Sequence, residues 1–150
     1  MSEGDSLKIS TKGRYALRMM YDLAVNQNDG YISLKEISER QEISKKYLEQ
    51  IVPILSKSGL LRTTRGNQGG YRLAKAPEDY TVAEILRAVE GSLAPVACLD
   101  TSPNICPKAA NCPTLPVWEG LNDVINNYLE SITLRDMVEN SMGNILNYNI

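Results

Sequence analysis

Three thiols lie close together in this chain. Cys98, Cys106 and Cys112 fall within fifteen residues, with seven and five residues in the two gaps. Pro95, Pro103, Pro107, Pro113 and Pro116 punctuate the same stretch, so residues 92–117 predict an irregular segment. Side chains on such a segment can converge on one point without breaking helical hydrogen bonds. Three thiolates at one point suit a soft or borderline metal, which means an iron–sulfur cluster or zinc. Reduced cysteines that only fill space are the alternative, and their clustering argues against it. The chain contains no histidine, which removes every His ligand and every His-dependent triad. The start, Met1-Ser2-Glu3-Gly4-Asp5, is polar, and no signal-peptide apolar stretch comes after it. A cytoplasmic protein with reduced thiols is therefore expected, and no apolar run approaches the roughly 20 residues that span a membrane.

A second set of chemistry-bearing residues lies in the first half. Ser44 is a natural N-cap for a helix running to about Ser58 and closed by Gly59. Leu48, Ile51, Val52 and Leu55 share one arc of that helix, while Lys45, Lys46, Glu49 and Gln50 hold the opposite arc in its first turns. Lysine donates to guanine, glutamine pairs bidentately with adenine, and glutamate accepts from the cytosine amino group. A plain solvated face has the same composition; the arginine-bearing hairpin next in the chain favours nucleic acid. Leu60–Thr64 and Tyr71–Leu73 predict two short strands around Gly66-Asn67-Gln68-Gly69-Gly70, with Arg62, Arg65 and Arg72 on the hairpin. An arginine at a glycine-rich tip can enter a minor groove, where phosphates of both strands concentrate negative potential. The glycines lack the Lys-Ser/Thr and the helix start of a nucleotide cradle. Pro53, inside the helix, predicts a bend.

These residues need elements to position them. Thr11–Val25 predicts a helix with Tyr15, Ala16, Met19, Met20 and Leu23 on one face, broken by residues 26–30. Ser33 with Glu36 forms a capping-box pattern for a short second helix, and Gln41-Glu42-Ile43 is the three-residue turn of a helix-turn-helix. Thr81 with Glu84 repeats the box before Ile85, Leu86 and Val89, and Gly91 ends that helix. A long helix begins near Leu115 or Pro116. Its Trp118, Leu121, Ile125, Tyr128 and Ile132 step by three and four, a seam that suits a homodimer better than the chain's own core. A last helix runs from Thr133 to about Leu146. Charge divides the same way, with a net of +5 over residues 1–75 and −7 over 76–150. The expected fold is mainly α with a small β wing. Residues 1–91 form a winged helix-turn-helix domain, 92–114 a cysteine-containing sensor loop, and 115–150 a dimerisation helix with a C-terminal helix.

Three stretches carry a family resemblance: Lys12-Gly13-Arg14-Tyr15-Ala16-Leu17, Ile43 through Gln50, and Arg65 through Tyr71. They resemble the signatures of the Rrf2 family of winged helix-turn-helix transcription regulators, whose members are IscR-, NsrR- or CymR-like, over about residues 7–140. The resemblance implies a homodimer with a long dimerisation helix, base contacts from Lys46, Tyr47, Glu49 and Gln50, and a wing arginine at Arg65. Thr11 and Arg14 are further candidates for DNA contact. Cluster-binding members have three cysteines in this loop with about five residues in each gap, so the first gap here is two residues longer. IscR-like members place a histidine three residues after the last cysteine, where this chain has Leu115. The aspartate of NsrR-like members corresponds to Arg14. Neither known fourth ligand is present, leaving Asp100, Asn104, Glu119, a partner-chain group, solvent oxygen or a small thiol.

The expected function is a sequence-specific regulator, a repressor, that senses iron–sulfur status on a pseudo-palindromic double-stranded operator. A 2Fe–2S cluster is favoured over 4Fe–4S, and aerobic preparation is expected to lose it. The alternative is a cluster-free regulator of cysteine or sulfur metabolism acting through a protein partner or thiol oxidation. A small iron–sulfur oxidoreductase is a remote third reading, since no cofactor motif supports an enzyme.

Overall fold

The computed structural model describes residues 9–66, 69–100 and 111–148, without the side chains of Asp29 and of residues 143–148. In order these form α1 (Thr11–Val25), α2 (Leu34–Gln41), α3 (Lys45–Lys57), β1 (Leu61–Thr64), β2 (Gly70–Leu73), α4 (Val82–Glu90), α5 (Leu115–Glu130) and α6 (Leu134–Tyr148). Single 3-10 turns occupy Gln27–Asp29, Pro77–Asp79 and Ala97–Leu99. Among the described residues the chain is mainly helical with one small antiparallel sheet, as expected.

Local signals set the helix starts. Ser10 Oγ accepts from Gly13 N at 3.1 Å to open α1, and Ser44 Oγ accepts from Tyr47 N at 3.1 Å to open α3. Ser33 and Glu36 form the full reciprocal box at α2. At α4 only half of the expected box forms. Thr81 Oγ1 accepts from Glu84 N at 3.0 Å, while the Glu84 carboxylate goes to Lys75 Nζ at 2.9 and 3.0 Å. Between α2 and α3 Glu42 takes a left-handed conformation at φ 54°, costing roughly 1–2 kcal/mol for a residue with a Cβ. Ser38 offsets this by bonding Ile43 O through its hydroxyl at 2.6 Å, and Ile43 is buried. Pro53 does not interrupt α3: it sits on the exposed side, where water can serve the carbonyl left without a donor.

The core joins α1, α2, α3 and α4 through Ala16, Met19, Met20, Ile37, Leu48, Ile51, Leu55 and Ile85, all at 0% exposure. Leu134, at the start of α6, belongs to the same core. Thr133 and Asp136 cap α6 reciprocally at 3.0 Å each way, and Tyr21 of α1 bonds Ser141 of α6 at 2.7 Å. The head therefore draws on residues well past position 91.

In the wing, Leu61 pairs with Leu73, Arg62 with Arg72, Thr63 with Tyr71 and Thr64 with Gly70. Ile32 joins it as an isolated bridge to Tyr71, with bonds of 2.9 and 2.8 Å. That approach explains Gly70, where a Cβ would collide with the backbone of Ile32. Tyr80 closes the base of the wing. Burial raises its phenol above 10.0, with the amides of Ala74 and Lys75 and the Lys75 charge pulling the other way.

Candidate nucleic-acid interface

The structure separates the two arcs of α3 as expected. Leu48, Ile51, Val52 and Leu55 are buried, while Lys45, Lys46, Glu49 and Gln50 are exposed in the first turns. Tyr47 is half-buried, its ring edge-on to Tyr15 of α1 at 5.1 Å and 75°. Tyr15 shares its face of α1 with Thr11, Arg14 and Arg18, at helical spacings of three and four. Arg14 Nη2 bonds Thr11 Oγ1 at 3.1 Å, and the Arg18 guanidinium stands 5.6 Å from the Tyr15 ring centre. The Tyr15–Tyr47 pair thus brings Thr11 and Arg14 alongside the first turns of α3.

A buried charge fixes that arrangement. Asp22 of α1 is 2% exposed and takes both oxygens to the far end of α2, with Arg40 Nε at 3.0 Å, Arg40 Nη2 at 2.8 Å and Gln41 Nε2 at 3.1 Å. Arg18 adds a bond to the Gln41 carbonyl. Four side chains of α1 and α2 therefore grip the last residues before the helix-turn-helix turn. The sequence does not announce this grip, because Asp22 is eighteen residues from Arg40 and no local pattern marks the pair.

On the wing, Arg62 and Arg65 are exposed. Arg62 and Arg72 are direct cross-strand partners, an arrangement that destabilises a ribbon by itself. Arg72 is partly compensated by the Tyr31 ring at 5.5 Å. Like charges held in register suit a surface that meets a polyanion.

The cysteine loop joins α4 to α5. Cys98 lies in the turn Ala97–Leu99 and Cys112 three residues before α5; both are half-buried and neither is in a disulfide. Cys112 Sγ is 3.4 Å from Thr114 Oγ1. Cys106 and Asn104 lie outside the described residues. Among the described residues no three metal-ligating side chains converge. Asp100 bonds Ser92 at 2.6 Å, and Glu119 is exposed on α5. At the loop's start, Glu90 accepts from Ser10 N at 3.3 Å and from its hydroxyl, joining the end of α4 to the cap of α1.

The expected seam on α5 divides. Trp118, Leu121 and Ile125 are half-buried, on or beside the face that carries Asn126, which bonds Arg87 of α4 at 2.6 Å. Tyr128 is 63% exposed, and Val117 and Val124, absent from the expected seam, are 62% and 64% exposed. Val117, Val124 and Tyr128 step by seven and four and form an outward apolar stripe, with half-buried Leu121 at its edge. Ile132 falls beyond the end of α5, where its carbonyl accepts from Val82 N at 2.8 Å.

Three helices with a three-residue turn, a two-stranded wing and cations along one surface define a winged helix-turn-helix DNA-binding module. The chain belongs to the Rrf2 family: the family model, described as an iron-dependent transcriptional regulator, matches residues 9–140. Protein rrf2 of Nitratidesulfovibrio vulgaris is 36% identical over 135 residues, 90% of this chain and 89% of that protein. IscR of Photorhabdus laumondii is 39% identical over 134 residues, 89% of this chain and 80% of that protein. Among solved structures, CymR, the global cysteine regulator of B. subtilis, matches with a TM-score of 0.74 at 38% identity, covering 89% of this chain and 97% of that one. IscR of T. potens matches with a TM-score of 0.72 at 41% identity, covering 90% and 88%. The protein is a transcriptional regulator and not an enzyme. Among the described residues no helix is long and apolar enough to cross a membrane.

Proposed function

We propose that the protein is a cytoplasmic, homodimeric repressor that reads a pseudo-palindromic operator and senses iron–sulfur status through Cys98, Cys106 and Cys112. The DNA half rests on one observation: exposed Lys45, Lys46, Glu49 and Gln50 share a surface with Thr11 and Arg14 through the Tyr15–Tyr47 contact. In this reading Lys46, Tyr47, Glu49 and Gln50 meet base edges, and the contact of Tyr47 with Tyr15 sets how α3 seats in the major groove. Lys45, Thr11 and Arg14 hold phosphates, and Arg65 enters the minor groove. The seam of α5 pairs two such heads.

The donor set fits a cluster in kind, with three thiols within fifteen residues of sequence and the two described ones partly accessible. Those cysteines would hold it as thiolates, 2Fe–2S in preference to 4Fe–4S, with one position left to a weaker ligand. A bound cluster supplies iron whose charge and ligands respond to redox state and small molecules. Where the loop leaves α4, Glu90 holds Ser10 and Arg87 holds Asn126 and Glu130, so ordering of the loop would bear on α1 and α5 at once. A second reading is a cluster-free regulator of cysteine or sulfur metabolism, working through a protein partner or thiol oxidation. The likeness to the B. subtilis global cysteine regulator favours it. Iron, sulfide and the visible spectrum after anaerobic purification decide between them. The cluster requires stoichiometric iron and sulfide that Cys106→Ala loses. Zinc without visible absorbance, or content indifferent to Cys106→Ala, leaves the second reading.

A further inference from the structure

Arg65 stands at the tip of a ribbon with two strands of four residues each. A ribbon that short is marginal by itself, so something outside it must fix its direction. The Ile32–Tyr71 bridge steadies β2 from one side, and Tyr80 holds both strands at the base. Its ring is completely buried, and its hydroxyl donates to Leu60 O at 2.6 Å. The same oxygen accepts from Ala74 N at 2.8 Å and Lys75 N at 3.3 Å. Leu60 immediately precedes β1 and Ala74 immediately follows β2, so one atom holds both ends of the hairpin. One donor and two lone pairs are all a phenol has, and all are used.

The main chain of Tyr80 leads elsewhere. Tyr80 O accepts from Leu134 N at 3.1 Å and Val82 N donates to Ile132 O at 2.8 Å, which makes Thr81 and Thr133 an isolated bridge. Residues 131–133 are the whole link between α5 and α6. The residue that fastens the wing is thus also paired to the foot of α5. Leverage makes this consequential. Four extended residues carry the tip about 13 Å from the base, so a tilt of about 10° at the base moves the tip by about 2 Å.

We propose that Tyr80 is the positioning residue of the wing: its hydroxyl sets where Arg65 stands relative to α3, and its main chain ties that setting to the α5–α6 junction. The proposal rests on the reading that Arg65 reaches DNA, and the test separates the two. Operator affinity is measured for wild type, Tyr80→Phe, Arg65→Ala and the double variant, with circular dichroism and sedimentation to show unchanged fold and assembly. Arg65→Ala should weaken operator binding at least about fivefold. Tyr80→Phe keeps the buried ring and should weaken it about threefold to tenfold. In the Arg65→Ala background Tyr80→Phe should change affinity by less than about twofold, because a misaimed wing matters only while it carries the arginine. Equal losses in both backgrounds indicate a merely structural tyrosine and overturn the proposal. Wild-type affinity in Arg65→Ala overturns the wing reading and Tyr80's role with it. Hydrogen exchange on the wild type needs no variant. The Ala74 and Lys75 amides should be protected and should slow further on operator binding, together with those of Val82 and Leu134. Exchange at open-loop rates overturns the fastening, and slowing confined to the wing overturns the link to the junction.

Discussion

If the dimer forms along the outward stripe of α5, charge placed on Val117 and Val124 must break it. Both valines are about two-thirds exposed in the single chain, so an apolar partner surface has most of each side chain left to cover. Full burial of a valine stabilises by about 1.5–3 kcal/mol, so about 1–2 kcal/mol per valine remains to be gained. Two-fold symmetry presents four such side chains, which together contribute about 4–8 kcal/mol to association. The doubly substituted Val117→Asp/Val124→Asp protein should therefore have a dimer dissociation constant raised by roughly a thousandfold to a millionfold. An unpaired carboxylate in the interface adds to the loss. Sedimentation velocity over a micromolar concentration series reads this directly, with Asp123→Asn as the control on neither face. Operator affinity should fall with the dimer, because one recognition helix then binds without its mate. Ile125→Asp should behave differently, losing monomer stability first, since Ile125 is already half-buried within the chain. An undiminished dimer in Val117→Asp/Val124→Asp, or wild-type protein that sediments as a monomer, would refute the outward stripe.

Two further consequences can be measured. Gln50→Ala should relax preference at one base pair of each half-site by about 1–3 kcal/mol in a binding competition over substituted operators, leaving non-specific affinity intact; unchanged preference removes Gln50 from the base-reading set. Asp22→Ala should lower stability by about 2–4 kcal/mol, below the full value for a buried pair because Arg40 is 41% exposed and water takes up its donors. Denaturant unfolding at fixed protein concentration reads the loss, and a change under about 0.5 kcal/mol would show that the α1–α2 grip is idle.

The parts legible in the sequence are those written in a few adjacent residues. Ser33, Ser44 and Thr81 bond amides three residues ahead of them, and such caps can be read without knowing the fold. The exposed arc of α3 comes from helical periodicity alone. What escaped the sequence was built by tertiary contact. Asp22 with Arg40, Tyr80 with Leu60, and Ile32 with Tyr71 join residues eighteen, twenty and thirty-nine apart. Glu42 carries no glycine to announce its left-handed turn. On α5 the helix and an apolar stepping were legible, but not which side of the cylinder stays exposed in the single chain. Two apolar stripes of like spacing run side by side, and only the packing of Asn126 against Arg87 shows which face is already taken.

That packing also limits where a signal from the cysteine segment can go. Leu134 is fully buried in the head core, Ile132 and Leu134 are bonded to the extended stretch after the wing, and Arg87 fastens α4 to Asn126 and to Glu130 at 2.9 Å. Head, foot of α5 and start of α6 thus share hydrogen bonds and one core, and they resist moving separately. The cysteine segment joins this body at two places, Gly91 after α4 and Thr114 before α5. A change within the segment can reach the DNA surface through the first of these by way of Glu90, Ser10 and the turn that carries Thr11 and Arg14. In the proposed dimer it can reach the second head through the other, by shifting the start of α5 along the partner. The two routes differ in what they alter. The first changes how one head holds phosphates and acts on a half-site. The second changes the distance between heads and acts only on a full operator. If the proposed cluster binds, half-site and full-site affinities with and without it distinguish them, and a loss seen equally on both duplexes assigns the signal to the route through Glu90.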